Sequence, residues 1–312
     1  MTERESKMKN AVFAFAVLAA ALAANGSTGT VSVTNSSGVV STIPAPDARL
    51  VYGPHAKQYV ELWLPKGAAP AGGRPLAVYI HGGAWTSGNA IDGHVVRRLA
   101  NVLERNVAFA SVSYRYLYET KEVKPPVKAV KDDVVAALSK IRDNAASYGI
   151  RMDRLALSGG SAGACISLVV ALSDGNPFGV DFVGAMYPQT SLDPKEMKEW
   201  VPNQGVYGAH AFGIGWKEFE ARRDEMLPTI ELYSPAALAR KIDPAAAPEI
   251  VIEYPPANFP DEKTGLAKDP IHSAQFGMRF AEVCRERGIK CELLKGACNE
   301  SWKRLVDRLV AP

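Results

Sequence analysis

From position 59 onward, apolar residues along the chain fall into two alternating rhythms. Tyr59–Leu64 alternates polar and apolar and stops at Pro65, which predicts a strand. Leu76–Ile80 is a short unbroken apolar run, suited to a strand buried on both faces. Val95–Leu103 has helical spacing, and Ala108–Tyr114 reads as another strand. Val127–Ala145 places Val130, Val134, Leu138 and Ile141 on one face of a long amphipathic helix. A short strand at Leu155–Leu157, a helix at Ala162–Leu172 and a strand at Phe182–Tyr187 follow. Strands at Glu249–Tyr254 and Cys291–Leu294 complete the set, with helices at Ala274–Arg287 and Ser301–Leu309. Strand–helix alternation predicts an α/β fold: a doubly wound, mostly parallel sheet with helices on both faces.

Two stretches break the rhythm. Residues 25–50 are rich in Ser, Thr, Gly and Val and read as a linker with an edge strand at Thr30–Thr34. Residues 190–247 carry Trp200, Tyr207, Phe212, Trp216, Phe219 and many charges. They read as a partial helical cap, because the excursion leaves the C-terminal edge of a strand, where α/β sites lie. An ordinary surface insertion is the other reading. The main domain spans 51–312.

Composition narrows the class. Hydrophobic residues make up 47% of the 312 and charged residues 22%, enough for a full core. Net charge is +3, with no basic stripe, which argues against nucleic acid as a partner. At the N-terminus Lys7 and Lys9 precede the uncharged run Ala11–Ala24, and Ala21-Leu22-Ala23 offers a small-residue cleavage pattern. This reads as a signal peptide over 1–24 and a secreted or periplasmic protein. The run is too short for a comfortable membrane span, so no stable membrane insertion is expected once it is removed. An uncleaved anchor is the alternative.

Four cysteines remain: Cys165, Cys284, Cys291 and Cys298. The segment between Cys284 and Cys291 can fold back to bring them together, as a disulfide or as two free thiols. No cysteine or histidine spacing suggests zinc, and no cofactor is expected.

The sharpest chemical signal is Gly159-Gly160-Ser161-Ala162-Gly163, between a predicted strand and a predicted helix. That context turns G-x-S-x-G into a nucleophile elbow, with Ser161 Oγ projecting above the sheet and the Ala162 N–H at a helix N-terminus, ready to bind an oxyanion. His81-Gly82-Gly83-Ala84-Trp85 directly follows the buried run Leu76–Ile80. Its glycines let the Gly82 and Gly83 N–H groups turn inward as the other wall of an oxyanion hole. His81 reads as a structural residue of that loop. Trp85 is a candidate for the substrate pocket, its alternative place being beneath the loop.

These motifs resemble the HGG-type esterase/lipase branch of the α/β-hydrolase superfamily, which includes hormone-sensitive-lipase-like and feruloyl- or acetyl-esterase-like enzymes. The strand ending in Tyr114-Arg115 and the approach Gly149–Arg154 to the elbow resemble it as well. The resemblance implies an α/β-hydrolase fold and cofactor-free hydrolysis of carboxylic esters. It also implies the chain order serine, acid, histidine. The acid is expected after Glu249–Tyr254, where Asp269-Pro270-Ile271-His272 resembles the family's acid turn. Asp269 is the choice, with Asp261, Glu262 and Glu253 as alternatives.

The histidine departs from the pattern. The loop after Cys291–Leu294 reads Lys295-Gly296-Ala297-Cys298-Asn299-Glu300, so Asn299 occupies the expected slot. An amide cannot take the serine proton at neutral pH. The five histidines are His55, His81, His94, His210 and His272. Three readings follow: His272 has taken over as base, held by Asp269; His210 reaches in from the cap; or Asn299 marks a slow or dead enzyme.

The expected function is therefore an exported, carboxylesterase-like serine hydrolase. It would act on small esters or on acyl groups of polysaccharides. The alternative is a catalytically impaired homologue that keeps the pocket as a binding protein. A peptidase on the same fold ranks third.

Overall fold

The structure, a computed structural model, describes residues 29–34, 38–203 and 207–311. The expected signal peptide over 1–24 lies outside them. Among the described residues there are ten strands: β1 (Thr30–Thr34), β2 (Val40–Pro44), β3 (Ala48–Val51), β4 (Tyr59–Trp63), β5 (Arg74–Ile80), β6 (Ala108–Val112), β7 (Ile150–Gly160), β8 (Val180–Met186), β9 (Glu249–Tyr254) and β10 (Cys291–Lys295). The helices are α1 (Gly93–Glu104), α2 (Pro126–Asn144), α3 (Ala162–Leu172), α4 (Pro194–Trp200), α5 (Trp216–Ala221), α6 (Arg223–Glu231), α7 (Pro235–Lys241), α8 (Ala274–Arg287) and α9 (Glu300–Val310).

Eight strands form one sheet in the order β10-β9-β8-β7-β5-β6-β4-β3. The pairs from β10 to β6 are parallel; β4 and β3 join antiparallel at the edge. Each face of the sheet carries its own core, and β5 shows why its sequence is apolar throughout. Leu76, Val78 and Ile80 face the larger core with Val130, Val134 and Leu138 of α2 and Ile166 and Val169 of α3. Ala77 and Tyr79 face the smaller core with Val95, Leu99 and Val102 of α1 and Trp302, Leu305 and Leu309 of α9. A strand covered on both faces has no solvent side on which to place polar residues. All eleven residues of α3 are buried, which suits the helix that runs from the elbow through the middle of the molecule.

The N-terminal stretch departs from the expectation of a linker with one strand. It forms three strands: β1 and β2 pair antiparallel, and β3 extends the main sheet. Ile43 of β2 enters the smaller core, and Trp63 Nε1 donates to Pro44 O at 2.9 Å. Short Ser- and Thr-rich strands with one half-buried face look like linker in sequence, and only their packing on α1 distinguishes them. β7 also starts earlier than expected, at Ile150, with a register shift near Leu155.

The described residues of 190–247 include α4 to α7 and a 3₁₀ turn at Ala209–Phe212. Phe212 stacks on Phe219, and both belong to the larger core. All four cysteines are free thiols; Cys291 hydrogen-bonds Cys284, so the fold brings that pair together. Among the described residues, no helix is long and apolar enough to cross a membrane, and no cluster of three or more His, Cys, Asp and Glu is placed to hold a metal.

Candidate active site

Ser161 stands between β7 and α3 at φ 53° and ψ −121°. A non-glycine residue held there is strained, and the turn exists only because its surroundings hold it. The Ser161 N–H donates to Met186 O at 2.9 Å. The elbow also demands close approach: a Cβ on Gly163 would lie 2.1 Å from Ile80 O. Ala162 is the first residue of α3, so its N–H has no partner within the helix.

The loop after β5 faces the elbow. Gly83 adopts φ 105°, a conformation costly to side-chain-bearing residues, and its carbonyl accepts from Thr86 N and Ser87 N at 2.9 and 3.0 Å. The Gly82 and Gly83 N–H groups make no hydrogen bond among the described residues. Gly82, Gly83 and Ser161 line one cleft of about 350 Å³ that also touches Tyr187, His94 and Thr34 of the N-terminal hairpin. No residue of the 190–247 excursion lines it.

His272, 111 positions further along the chain, meets Ser161. Its Nε2 lies 2.9 Å from Ser161 Oγ, and its Nδ1 lies 2.8 Å from Asp269 Oδ2. Asp269 begins the 3₁₀ turn Pro270–His272, its Oδ1 accepting from the N–H groups of Ile271 and His272 at 3.2 and 3.3 Å. One carboxylate therefore builds the turn with one oxygen and meets the imidazole with the other. The turn is tied down by Gln189 Nε2, which donates to Ile271 O, and Asn258 Nδ2, which donates to His272 O, each at 2.7 Å. With Nδ1–H donating to the carboxylate, Nε2 carries the lone pair toward the serine. The side chain of Asp269 is 49% exposed and that of His272 28%, so solvent screens this pair.

Residues 60–204 match the BD-FAE family. The chain is 25% identical to the esterase LipQ of Mycobacterium tuberculosis over 260 residues, which is 79% of this chain and 56% of LipQ. It is 36% identical to the carboxylesterase NlhH of the same organism over 121 residues, 38% of this chain and 36% of NlhH. It thus spans little more than half of LipQ and about a third of NlhH. Among solved structures, a truncated carbohydrate esterase from gut microbiota superposes with a TM-score of 0.62 at 19% identity, covering 84% of this chain and 93% of that one. The chain is thus similar to esterases of the α/β-hydrolase type.

Within this α/β-hydrolase, the other candidate residues take different places. His81 is buried, stacks on Tyr114 with ring centres 4.1 Å apart, and donates from Nδ1 to Gly82 O at 2.8 Å. Burial lowers its pKa to about 4, so it stays neutral inside the loop. Trp85 is not in the cleft. It is fully buried beneath the loop, where its Nε1 donates to Ala162 O at 3.0 Å, because an indole N–H inside a core needs an acceptor. His210 does not reach Ser161; its Nε2 donates to Ala84 O at 3.2 Å.

Asn299 does not face Ser161 or Asp269 through any hydrogen bond. It is exposed at the N-cap of α9, and its carbonyl accepts from Lys303 N at 3.0 Å. Its neighbours explain the direction. Arg98 Nη2 donates to Cys298 O at 2.6 Å, and Ser301 N and Oγ both donate to Glu253 Oε2 at 2.8 Å. These bonds draw Cys298 and Ser301 inward, and Asn299 between them is turned to solvent. Glu253 is thereby committed to the start of α9. Asp261 is exposed and caps its own loop through Lys263 N and Thr264 N, and Glu262 is exposed beside it.

Tyr187, His94, Gln189 and Asn258 were not legible as site residues. No motif marks them; Tyr187 and Gln189 follow the end of β8, His94 lies in the first turn of α1, and Asn258 ends a 3₁₀ turn after β9.

Proposed function

We propose that this α/β-hydrolase is an exported serine carboxylesterase in which His272 acts as the general base. The observation that carries the reading is the continuous contact Ser161 Oγ, His272 Nε2, His272 Nδ1, Asp269 Oδ2, at 2.9 and 2.8 Å. In this reaction His272 Nε2 takes the Ser161 proton as Oγ attacks the ester carbonyl. The free N–H groups of Gly82, Gly83 and Ala162 hold the oxyanion that forms. His272 then returns the proton to the leaving alcohol, and a water repeats the sequence on the acyl-enzyme. Asp269 orients the imidazole and stabilises its charged form.

Export is supported by the leader-like Lys7, Lys9 and Ala11–Ala24. Acyl groups on carbohydrates as substrates are supported by the fold shared with a carbohydrate esterase from gut microbiota. The test is reaction with a fluorophosphonate probe followed by peptide mapping, with Ser161→Ala as control. Labelling of Ser161 together with hydrolysis of p-nitrophenyl acetate is expected. A protein that folds but neither labels nor turns over fits the impaired-homologue reading instead.

A further inference from the structure

Tyr187 follows directly on β8, at φ 41°, a backbone conformation that a bulky residue keeps only under constraint. Its N–H donates to Glu253 O at 2.9 Å. The ring stands edge-on to His272, centres 5.4 Å apart and planes at 88°. Its hydroxyl lies over the residue before the nucleophile: a Cβ on Gly160 would come within 3.0 Å of Tyr187 Oη. Tyr187 and Ser161 line the same cleft.

The direction in which this hydroxyl donates follows from the groups behind it. Its one hydrogen bond among the described residues is to His94 Nε2 at 3.2 Å. His94 Nδ1 in turn faces Arg98 Nη1 at 2.9 Å and Arg97 Nη2 at 3.3 Å. A guanidinium can only donate, so Nδ1 is an acceptor. Burial, reinforced by Arg98 and Arg97, pushes the His94 pKa down to about 3, and the neutral ring carries its proton on Nε2. That proton is donated to Tyr187 Oη. The tyrosine's own proton then has no acceptor among the described residues and is left for whatever occupies the cleft. Arg98 is itself buried without a carboxylate partner, donating to His94, Cys298 O and Met186 Sδ.

We propose that Tyr187 contacts substrate and determines specificity: its hydroxyl donates to an oxygen next to the ester oxygen on the leaving alcohol, so that esters of vicinal diols and polyols are preferred over esters of simple alkanols. His94 and Arg98 are positioning residues that aim this donor. The inference rests on ester hydrolysis at Ser161 through His272. His272 must hand its proton to the leaving oxygen, and Tyr187 packs edge-on against that ring in the cleft it shares with Ser161, which is why the proposal sets its hydroxyl against the leaving alcohol.

The test compares 2-hydroxyethyl acetate with ethyl acetate in the full chain. Tyr187→Phe is expected to lower kcat/KM about tenfold more on the hydroxylated ester than on the plain one, the size of one neutral hydrogen bond. His94→Ala should lower the same preference alone and have no further effect on it in the Tyr187→Phe background, because both act through one donor. Equal losses on the two esters would overturn the proposal. Binding is measured separately by NMR titration of Ser161→Ala with each ester. Adding Tyr187→Phe should weaken binding of 2-hydroxyethyl acetate several-fold more than that of ethyl acetate, and equal effects would again overturn it. If the wild type hydrolyses neither ester, the catalytic reading fails, and the titration still decides the role of Tyr187.

Discussion

His272 Nε2 lies 2.9 Å from Ser161 Oγ, and Asp269, whose Oδ2 meets the other ring nitrogen, begins the same 3₁₀ turn three residues earlier. The two residues thus share one turn, fixed to the fold by Gln189 and Asn258. The family pattern would instead place the histidine after β10.

Removing His272 removes the proposed base and leaves the elbow and the N–H groups of Gly82, Gly83 and Ala162 in place. His272→Ala should lower kcat on p-nitrophenyl acetate by about 10²–10⁴-fold, the usual contribution of a positioned general base. Activity within about threefold of wild type, in protein with an unchanged melting profile, would refute the role.

Asp269→Asn should cost less. The carboxylate is half exposed, so solvent already screens its charge, and the turn can still be capped by the amide oxygen. A loss of roughly ten- to a hundredfold in kcat is expected, mainly from a less well held tautomer. A drop equal to that of His272→Ala would show the pair to be tightly interdependent, contrary to this geometry.

Asn299→His should not raise ester hydrolysis. The residue is turned to solvent at the start of α9, and the bonds from Arg98 and Glu253 fix the residues on either side of it. Steady-state rates with the same ester should stay within about twofold, far below the gain a positioned base brings. A large increase would mean that the loop after β10 can swing its side chain to Ser161.

Two histidines make the fold sensitive to mild acid. Burial lowers the pKa of His81 to about 4; burial, with Arg98 and Arg97, lowers that of His94 to about 3. The unfolded chain takes up both protons near the ordinary value of 6.5, while the folded chain resists. Stability is therefore complete above about pH 7 and falls as the pH drops from 6.5 toward 4. Urea unfolding should show a loss of about 2–4 kcal/mol between pH 7 and pH 5. His94→Gln should remove roughly half of that pH dependence. A flat stability profile over this range would contradict the assignment of two neutral buried imidazoles.

Local pattern was enough for the parallel sheet, its two helical layers and the elbow. Leu76–Ile80 is apolar at every position because β5 is covered on both faces, and G-x-S-x-G requires only a strand, a sharp turn and a helix, all contiguous in the chain. Asp269 and His272 were both visible as candidates for the same reason, since they share one turn. What the sequence could not decide was which histidine meets Ser161. That depends on how the chain packs over the sequence separation of 111 from Ser161 to His272, and the chain order is equally consistent with Asn299 filling the slot. Trp85 could likewise lie in the cleft or beneath the loop until its N–H found Ala162 O. The N-terminal strands and the Tyr187–His94–Arg98 relay also belong to tertiary structure alone. Ile43 of β2 finds its place only in the core beside α1, and Tyr187 meets His94 across a separation of 93 residues, so burial and hydrogen-bond direction exist only once the layers have packed.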